Sequence, residues 1–458
     1  MSGIHEITTI VIGNDREFFA PIDRFVPPHL RKEFEQADLD EADMDIMWCG
    51  DNKLVFMPQY LDEGYVRDIC QLFGYRNFHV VVPVENAGLC IDIVQDHHAW
   101  NVLVETIRLN PGVRIIPFGN SPEFYELLAQ LAQLELEFTS PETPDADHRW
   151  IVRYYDTKVG CRKLLEKAAA RSTKIKLPWG RVVNTWEEAQ EVVRVLTDRG
   201  LGVVFKANEG GSGIGVNVYP PQRLVTSEQV LAMLNSVKNN PLYTGEVPFI
   251  VEEYIPPDFS HHGVFPSVDV LMTADGDIRI QAVDAMVITH DENEVGFYGC
   301  VAGVGLFSPD QTQMLADMTL VVAEILRETG YVGWFDVDYI LSVDGSIIPT
   351  EVNLRRTSMC YMVEIGQMLF GPDFLDLCAL RSNDKYIRNN LYGYTYHNLQ
   401  RLLAPVLYQI ESERRGVIIT ECMRSQFGRG KFGYLIVGID QDDTWRIEQQ
   451  MEQLLDHA

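Results

Sequence analysis

The sequence predicts a multidomain protein of mixed α/β and α+β class. Three observations predict it. Over residues 1–147, β-rich runs alternate with stretches of helical spacing, the pattern of a mostly parallel sheet. A proline- and acid-rich stretch at 140–147 then separates that region from the rest. Beyond it, β-rich runs meet at Asp275-Gly276 and Asp344-Gly345, the dipeptides of tight antiparallel hairpins. The expected units are an α/β domain at 1–147, a core at 148–390 with a subdomain at about 175–255, and a small α+β domain at 391–458. A chain of 458 residues can bury a core in each.

In order, strands are expected at 7–12, 53–57, 78–83 and 113–117, with helices at 65–73 and 99–109 between them. Gly13-Asn14-Asp15 closes the first strand and is not the G-x-G-x-x-G of dinucleotide sites. Asp96-His97-His98 reads as a polar helix start rather than a metal site. Helical spacing resumes over 152–170. Thr185 should cap a helix running to about 199, with Glu188 as its capping-box partner. Strands at 202–206 and 216–219 flank a glycine-dense loop. A helix at 227–237, a strand at 248–255 and paired strands at 264–272 and 278–285 follow. A helix at 311–329 closes at Gly330. The C-terminal part should hold a helix at 398–409, strands at 417–420 and 433–438, and a helix at 443–455. Residues 428–433 read as a hairpin turn rather than a phosphate loop.

Composition excludes several function classes. Hydrophobic content of 46% and charged content of 23% are ordinary for a globular protein. A net charge of −28 argues against a nucleic-acid partner, since phosphate backbones need an excess of Lys and Arg. No stretch has the apolar length of a membrane span, and the N-terminus lacks the basic and apolar segments of a signal peptide. The eight cysteines form no C-x-x-C pair, so neither a zinc site nor a disulfide framework is expected, and a cytoplasmic location is. A homodimer stays open.

Three motifs carry chemistry. Residues 333–357 read as two strands around Asp344-Gly345. Asp338 lies on the first strand, and Glu351 and Asn353 lie two apart on the second, so they share one face. Two carboxylates and an amide oxygen suit a hard cation such as Mg²⁺, and Arg355 and Arg356 add an anion grip. A hairpin with solvated acids would look the same when read alone. Lys206 ends a strand that enters the loop containing Asn208, Gly210, Gly211, Ser212 and Gly213. Such a loop lets backbone N–H groups turn toward phosphates, although a surface hairpin would share its glycines. Glu252 and Glu253, followed by Tyr254 and Ile255, end a strand that could meet a base edge and a ribose; solvated acids are the plain alternative.

In their order, these motifs resemble the ATP-grasp superfamily over about residues 152–380. The resemblance implies a pre-ATP-grasp N-terminal domain, a split ATP-grasp core and a small C-terminal domain. It implies that Lys158, with Lys163 as the neighbouring candidate, and Lys206 contact ATP phosphates, with residues 208–215 as the lid. Glu252 would face the adenine amino group, Glu253 to Ile255 would form the hinge, and Asp258 would take the ribose. Asp338, Glu351 and Asn353 would hold Mg²⁺. Arg355 or Arg356 would hold the substrate carboxylate or the transferring phosphoryl group. Asp336 stands where some ligases carry an arginine, so another residue such as Arg356 would have to stabilise the oxyanion. The flanks are similar to the peptide ligase family of pheganomycin biosynthesis. The implied activity is ATP-dependent carboxylate–amine ligation through an acylphosphate, ADP-forming, in peptide or antibiotic biosynthesis. Its partners would be ATP, an amino acid or related acid, and an amine or peptide acceptor. A carboxylate–thiol ligase, a phosphotransferase and a non-catalytic nucleotide-binding protein are the rivals.

Overall fold

The computed structural model describes residues 4–26, 29, 31–84, 87–210, 215–240, 243, 248–261, 263–291, 294–410 and 414–458. The N-terminal region builds a five-stranded sheet from β1 (Thr9–Ile12), β2 (Lys53–Phe56), β3 (Phe78–Val81), β4 (Val113–Pro117) and β5 (Phe138–Thr139). Its order is β3-β2-β1-β4-β5 and every pairing is parallel, as the alternating pattern requires. Three of the helices between strands, Glu63–Phe73, His97–Leu109 and Pro122–Gln133, start on side-chain caps. Asp62 accepts the N–H groups of Gly64 and Tyr65, Asp96 those of His98 and Ala99, and Ser121 that of Phe124. Asp96-His97-His98 is therefore a capped helix start.

A second sheet holds β6 (Gly180–Val183), β7 (Val203–Lys206), β8 (Val216–Tyr219) and β9 (Phe249–Glu253), ordered β6-β9-β7-β8. Helices Trp186–Asp198 and Ser227–Asn239 cover it around Val192, Leu196, Phe205, Met233 and Phe249. Thr185 caps the first of these, but the Glu188 carboxylate accepts from Asn184 N–H at 2.7 Å rather than from Thr185.

The third sheet has eight strands: β10 (Pro266–Met272), β11 (Ile278–Asp291), β12 (Glu294–Gly303), β13 (Gly333–Leu341), β14 (Ile347–Asn353), β15 (Ala379–Arg388), β16 (Gly416–Gln426) and β17 (Arg429–Gly438). Their order is β14-β13-β10-β11-β12-β15-β17-β16, all antiparallel, so the C-terminal hairpin extends the same sheet. Period-two alternation gives this sheet two characters. Val268, Val270, Phe335 and Val337 pack with helices Lys158–Arg171 and Pro309–Thr329. The residues between them, Ser267, Asp269, Asp336 and Asp338, line a cavity on the opposite face.

Three expectations change. The helix expected over 152–170 is two helices, Trp150–Tyr155 and Lys158–Arg171. Thr157 is extended and its Oγ1 accepts Gly160 N–H, which starts the second helix at Lys158. Gly160 permits this turn, because a Cβ there would lie 1.8 Å from the Tyr154 carbonyl. The helix expected to reach 409 is Tyr396–Leu403, since Pro405 lacks an N–H and disfavours helix at Ala404. The strands expected at 417–420 and 433–438 are longer. They meet at Phe427-Gly428, both in left-handed backbone (φ 52° and 74°), so 428–433 is a hairpin and not a phosphate loop.

Candidate functional site

A cavity of ≈ 240 Å³ lies between the N-terminal unit, the second sheet and the third sheet. Its floor is the β10–β13–β14 face. Across those strands, Ser267 stands opposite Asp338 and Asp338 opposite Glu351; one step along, Asp269 stands opposite Asp336 and Asp336 opposite Asn353. Register alone therefore gathers Asp336, Asp338, Glu351 and Asn353 on one patch. The Asn353 amide nitrogen donates to Asp336 at 2.8 Å and to Asp338 at 3.2 Å, while its oxygen accepts from Arg355 at 3.3 Å. Burial pushes Asp338 up to about 6. Burial and the Asp338 charge hold Asp336 well above the carboxylate range.

Two lysines close on this patch from other elements. Lys158, the first residue of its helix, pairs with Glu351, and burial lowers its ammonium to about 8. Lys206, at the end of β7, reaches Glu252 at 2.7 Å and the Thr350 carbonyl at 3.1 Å. Lys163, the neighbouring candidate, is exposed. Asn208 fastens the two lysine-bearing segments: its carbonyl accepts Lys158 N–H at 3.0 Å and its Oδ1 accepts Val159 N–H at 3.1 Å. Glu252 is buried with both oxygens engaged, the second by Arg162 at 3.0 Å. Glu253 accepts Trp179 N–H at 2.9 Å, and Tyr254 and Ile255 continue along the cavity wall.

No protein-family model matches the chain. Among solved structures, an ADP complex of N5-carboxyaminoimidazole ribonucleotide synthetase aligns over 100% of this chain and 99% of its own, with a TM-score of 0.54 at 14% identity. The biotin carboxylase domain of Hydrogenobacter thermophilus 2-oxoglutarate carboxylase, solved with MgADP, ADP and bicarbonate, aligns over 94% and 86% with a TM-score of 0.51 at 14% identity. N5-carboxyaminoimidazole synthetase from Staphylococcus aureus aligns over 99% and 98% with a TM-score of 0.51 at 12% identity. The chain has the ATP-grasp fold. In sequence, the [butirosin acyl-carrier protein]–L-glutamate ligase of Niallia circulans is 24% identical over 253 residues. That match covers 55% of this chain and 53% of the relative, about half of its length.

Within this ATP-grasp fold the two arginines have different settings. Arg355 lines the cavity, lies over the rings of Phe19 (5.0 Å) and Phe118 (5.8 Å), and donates to Asn353. Arg356 is buried at 3% exposure and clasps Glu142 through Nε and Nη2, at 2.9 and 2.6 Å, between Trp48 and Trp334. It joins the linker to the core, and it does not line the cavity. Asp258 also lies off the cavity, accepting from the Ser260 N–H and hydroxyl. Gly211, Ser212 and Gly213 lie outside the described residues.

The residues expected to hold the cation have the donor chemistry for it, although the Asn353 oxygen faces Arg355 and its amide nitrogen faces Asp336 and Asp338. Asp338 Oδ1 is buried and has no hydrogen-bond donor among the described residues, and Glu351 is its cross-strand neighbour. Turning the Asn353 amide over would present its oxygen to the same place. Among the described residues no three His, Cys, Asp or Glu side chains form a metal-holding group. The donor set that fits is thus two carboxylates and one amide oxygen, a hard-ion set.

The sequence reading missed Arg162, Glu142 and the acids Asp15, Asp45, Asp269 and Asp284. Arg162 was within reach of inference, four residues after Lys158 on one helix face. So was Asp269, which alternates with Val268 and Val270 as Asp336 and Asp338 alternate with Phe335 and Val337. Glu142 and Asp45 carry no local signal.

Proposed function

We propose that the chain is an ATP-dependent carboxylate–amine ligase that forms an amide or peptide bond through an acylphosphate, releasing ADP and phosphate. The observation that carries this reading is the meeting of Lys206, the Asp338–Glu351–Asn353 patch and Arg355 at one cavity, with Lys158 paired to Glu351 behind it, on the fold of structures solved with ADP and MgADP. In this reading residues 1–147, 148–390 and 391–458 serve as the pre-ATP-grasp domain, the split core and the C-terminal domain.

The residues divide the work. Residues 252–255 would seat the adenine. Lys158 and Lys206 would exchange their carboxylate partners for ATP phosphates, which are stronger anions in the same positions. Asp338, Glu351 and Asn353 would hold Mg²⁺, which would neutralise charge on the phosphates. Arg355, held by Phe19, Phe118 and Asn353, would orient the substrate carboxylate. A carboxylate oxygen attacks the γ-phosphorus and the β–γ bridging oxygen leaves with ADP. The amine nitrogen then attacks the acyl carbon, the carbon–oxygen bond to phosphate breaks, and the nitrogen gives up a proton. The 208–215 loop would exclude water from the acylphosphate meanwhile.

An acceptor presented by a carrier protein is the second reading, favoured by the likeness to the butirosin relative over half of that protein. A phosphohistidine route has less support, since no histidine lines the cavity among the described residues. The test is incubation with ATP, Mg²⁺, a panel of amino acids and hydroxylamine. Hydroxamate together with ADP is the expected outcome. AMP in place of ADP would refute the acylphosphate route.

A further inference from the structure

The cavity is far more acidic than phosphoryl transfer needs. Lys206 and Arg355 are the basic side chains among its described lining residues, against a wall of carboxyls. Some of those acids already have cations: Glu252 has Lys206 and Arg162, Glu351 has Lys158, and Glu41 has Lys385 at 3.0 Å. Two pairs do not. Asp15 and Asp45 come from the N-terminal unit, and Asp269 and Asp284 from β10 and β11. All four are at most 2% exposed and all line the cavity. Among the described residues no donor reaches Asp15 Oδ2, Asp45 Oδ2, Asp269 Oδ2 or either oxygen of Asp284. Within each pair the two carboxyls face one another: burial holds Asp45 and Asp284 well above the carboxylate range, so each keeps a proton at neutrality, and pushes Asp15 and Asp269 up to about 7. Each pair therefore takes on one negative charge as pH rises through about 7, and a cation beside it would favour that charged form. The backbone makes room for this arrangement: a Cβ on Gly13 would lie 2.7 Å from Asp45 Oδ2.

Buried carboxylate charge without a cation costs several kcal/mol. A hard cation on Asp338 and Glu351 would act on Asp269 and Asp284 across the same sheet face, but it leaves Asp15 and Asp45, which come from the N-terminal unit, without a cation in contact. Arg355 is a single charge whose hydrogen bonds go to Asn353 and to the Arg356 carbonyl. The rest of the wall is apolar, with Met286, Ile288 and Phe297 able to cover a hydrocarbon stem.

We propose that the substrate sharing this cavity with Arg355 carries a cationic nitrogen, an ammonium or guanidinium, held by the Asp15–Asp45 and Asp269–Asp284 pairs. This rests on the ligase reading for the identity of the site, but the acid wall can be tested without turnover. It makes the cavity selective by charge. A dicarboxylic acid such as glutamate would bring a second anion against the same four acids and be refused. The cation belongs either to the carboxylic acid or to the amine acceptor in its protonated form.

The experiment has two arms. In the first, 1,4-diaminobutane and glutarate are titrated calorimetrically into the full chain without ATP. The diamine binds and glutarate does not, and Asp45→Asn and Asp269→Asn each weaken the diamine about tenfold, the loss of one charge-assisted hydrogen bond. Both variants remove buried charge, so their Tm should hold or rise, and a well-folded variant with unchanged diamine affinity overturns the proposal. So does glutarate binding as tightly as the diamine. In the second arm, hydroxamate formation is compared for lysine, arginine, alanine and glutamate. A preference of at least about tenfold in kcat/KM for lysine or arginine over glutamate places the cation on the acid. Equal use of lysine and alanine, with the KM of a diamine acceptor raised about tenfold in Asp45→Asn, places it on the acceptor. Preference for glutamate overturns the proposal. Diamine binding without hydroxamate from any acid would instead remove the ligase reading and leave the cation site standing.

Discussion

Two regions of this molecule bury carboxylates, and they treat them in opposite ways. At the junction between the N-terminal unit and the C-terminal hairpin, Asp40, Asp43 and Glu421 each have a cation within ion-pair distance. Arg424 reaches Asp40 at 2.8 Å and Asp43 at 2.5 Å, and Lys431 reaches Asp40 at 3.3 Å and Glu421 at 3.2 Å. Gln426 and the Cys422 N–H donate to the same aspartates. In the cavity, Asp15, Asp45, Asp269 and Asp284 are buried as deeply and have no such partners. The first arrangement pairs its carboxylates with the chain's own cations and joins two parts of the chain, although neither Glu421 oxygen receives a hydrogen bond among the described residues. The second is incomplete by itself, which is the mark of a place where something binds. Arg355 and Arg356 repeat the contrast at adjacent positions. Arg356 is used up by Glu142 and two tryptophans, and Arg355 faces the space.

The comparison can be broken by experiment. The largest expected effect is on the paired side. Arg424→Met strands Asp40 and Asp43 without their guanidinium and should cost about 3–5 kcal/mol of stability, read as the denaturant midpoint. A change below about 1 kcal/mol would show that the network holds nothing together. Next comes the phosphoryl end of the cavity. Lys206→Ala should lower ADP formation about 10²–10³-fold with the denaturant midpoint little changed, since Arg162 still answers Glu252.

A smaller effect separates the regions by pH. Asp15 is raised from its ordinary 3.8 to about 7 by burial, so its protonated form is favoured by folding. The stability it contributes is full below about 3.8 and is lost as pH rises through about 7. Asp15→Asn should flatten that part of the curve of denaturant midpoint against pH. Glu41 is the opposite case. Its pairing with Lys385 and Lys431 outweighs burial and lowers it, so its contribution is present above its ordinary 4.5 and is lost as pH falls. The smallest effect belongs to an exposed pair. Arg171→Ala, which removes the surface contact with Glu328, should leave the denaturant midpoint unchanged within error, and a measurable loss would mean that exposure is a poor guide to which ion pairs matter here.

Much of this was legible in the chain because it is local. Strand alternation put Asp336 and Asp338 on one side and Phe335 and Val337 on the other, and Asp344-Gly345 set the turn that brings Glu351 opposite Asp338. Thr157 and Gly160 determine that a helix starts at Lys158, although the spacing of apolar residues concealed the break. Arg162 lies one turn after Lys158 on the same helix, but its partner Glu252 is 90 positions away.

What the sequence determined by itself is the sheet face and the residues that share it, because side-chain direction in a strand has a period of two and a hairpin turn sets the register. Tertiary structure decided which of those residues are spoken for. Glu142 lies 214 positions from Arg356, and Asp45 and Asp15 arrive from another domain. Whether a buried charge is paired depends on what folding brings beside it, and no local pattern records that. Lys158 next to Glu351 and Asp269 next to Asp284 are ordinary residues in the chain; folding sets opposite charges together in the first pair and two acids side by side in the second.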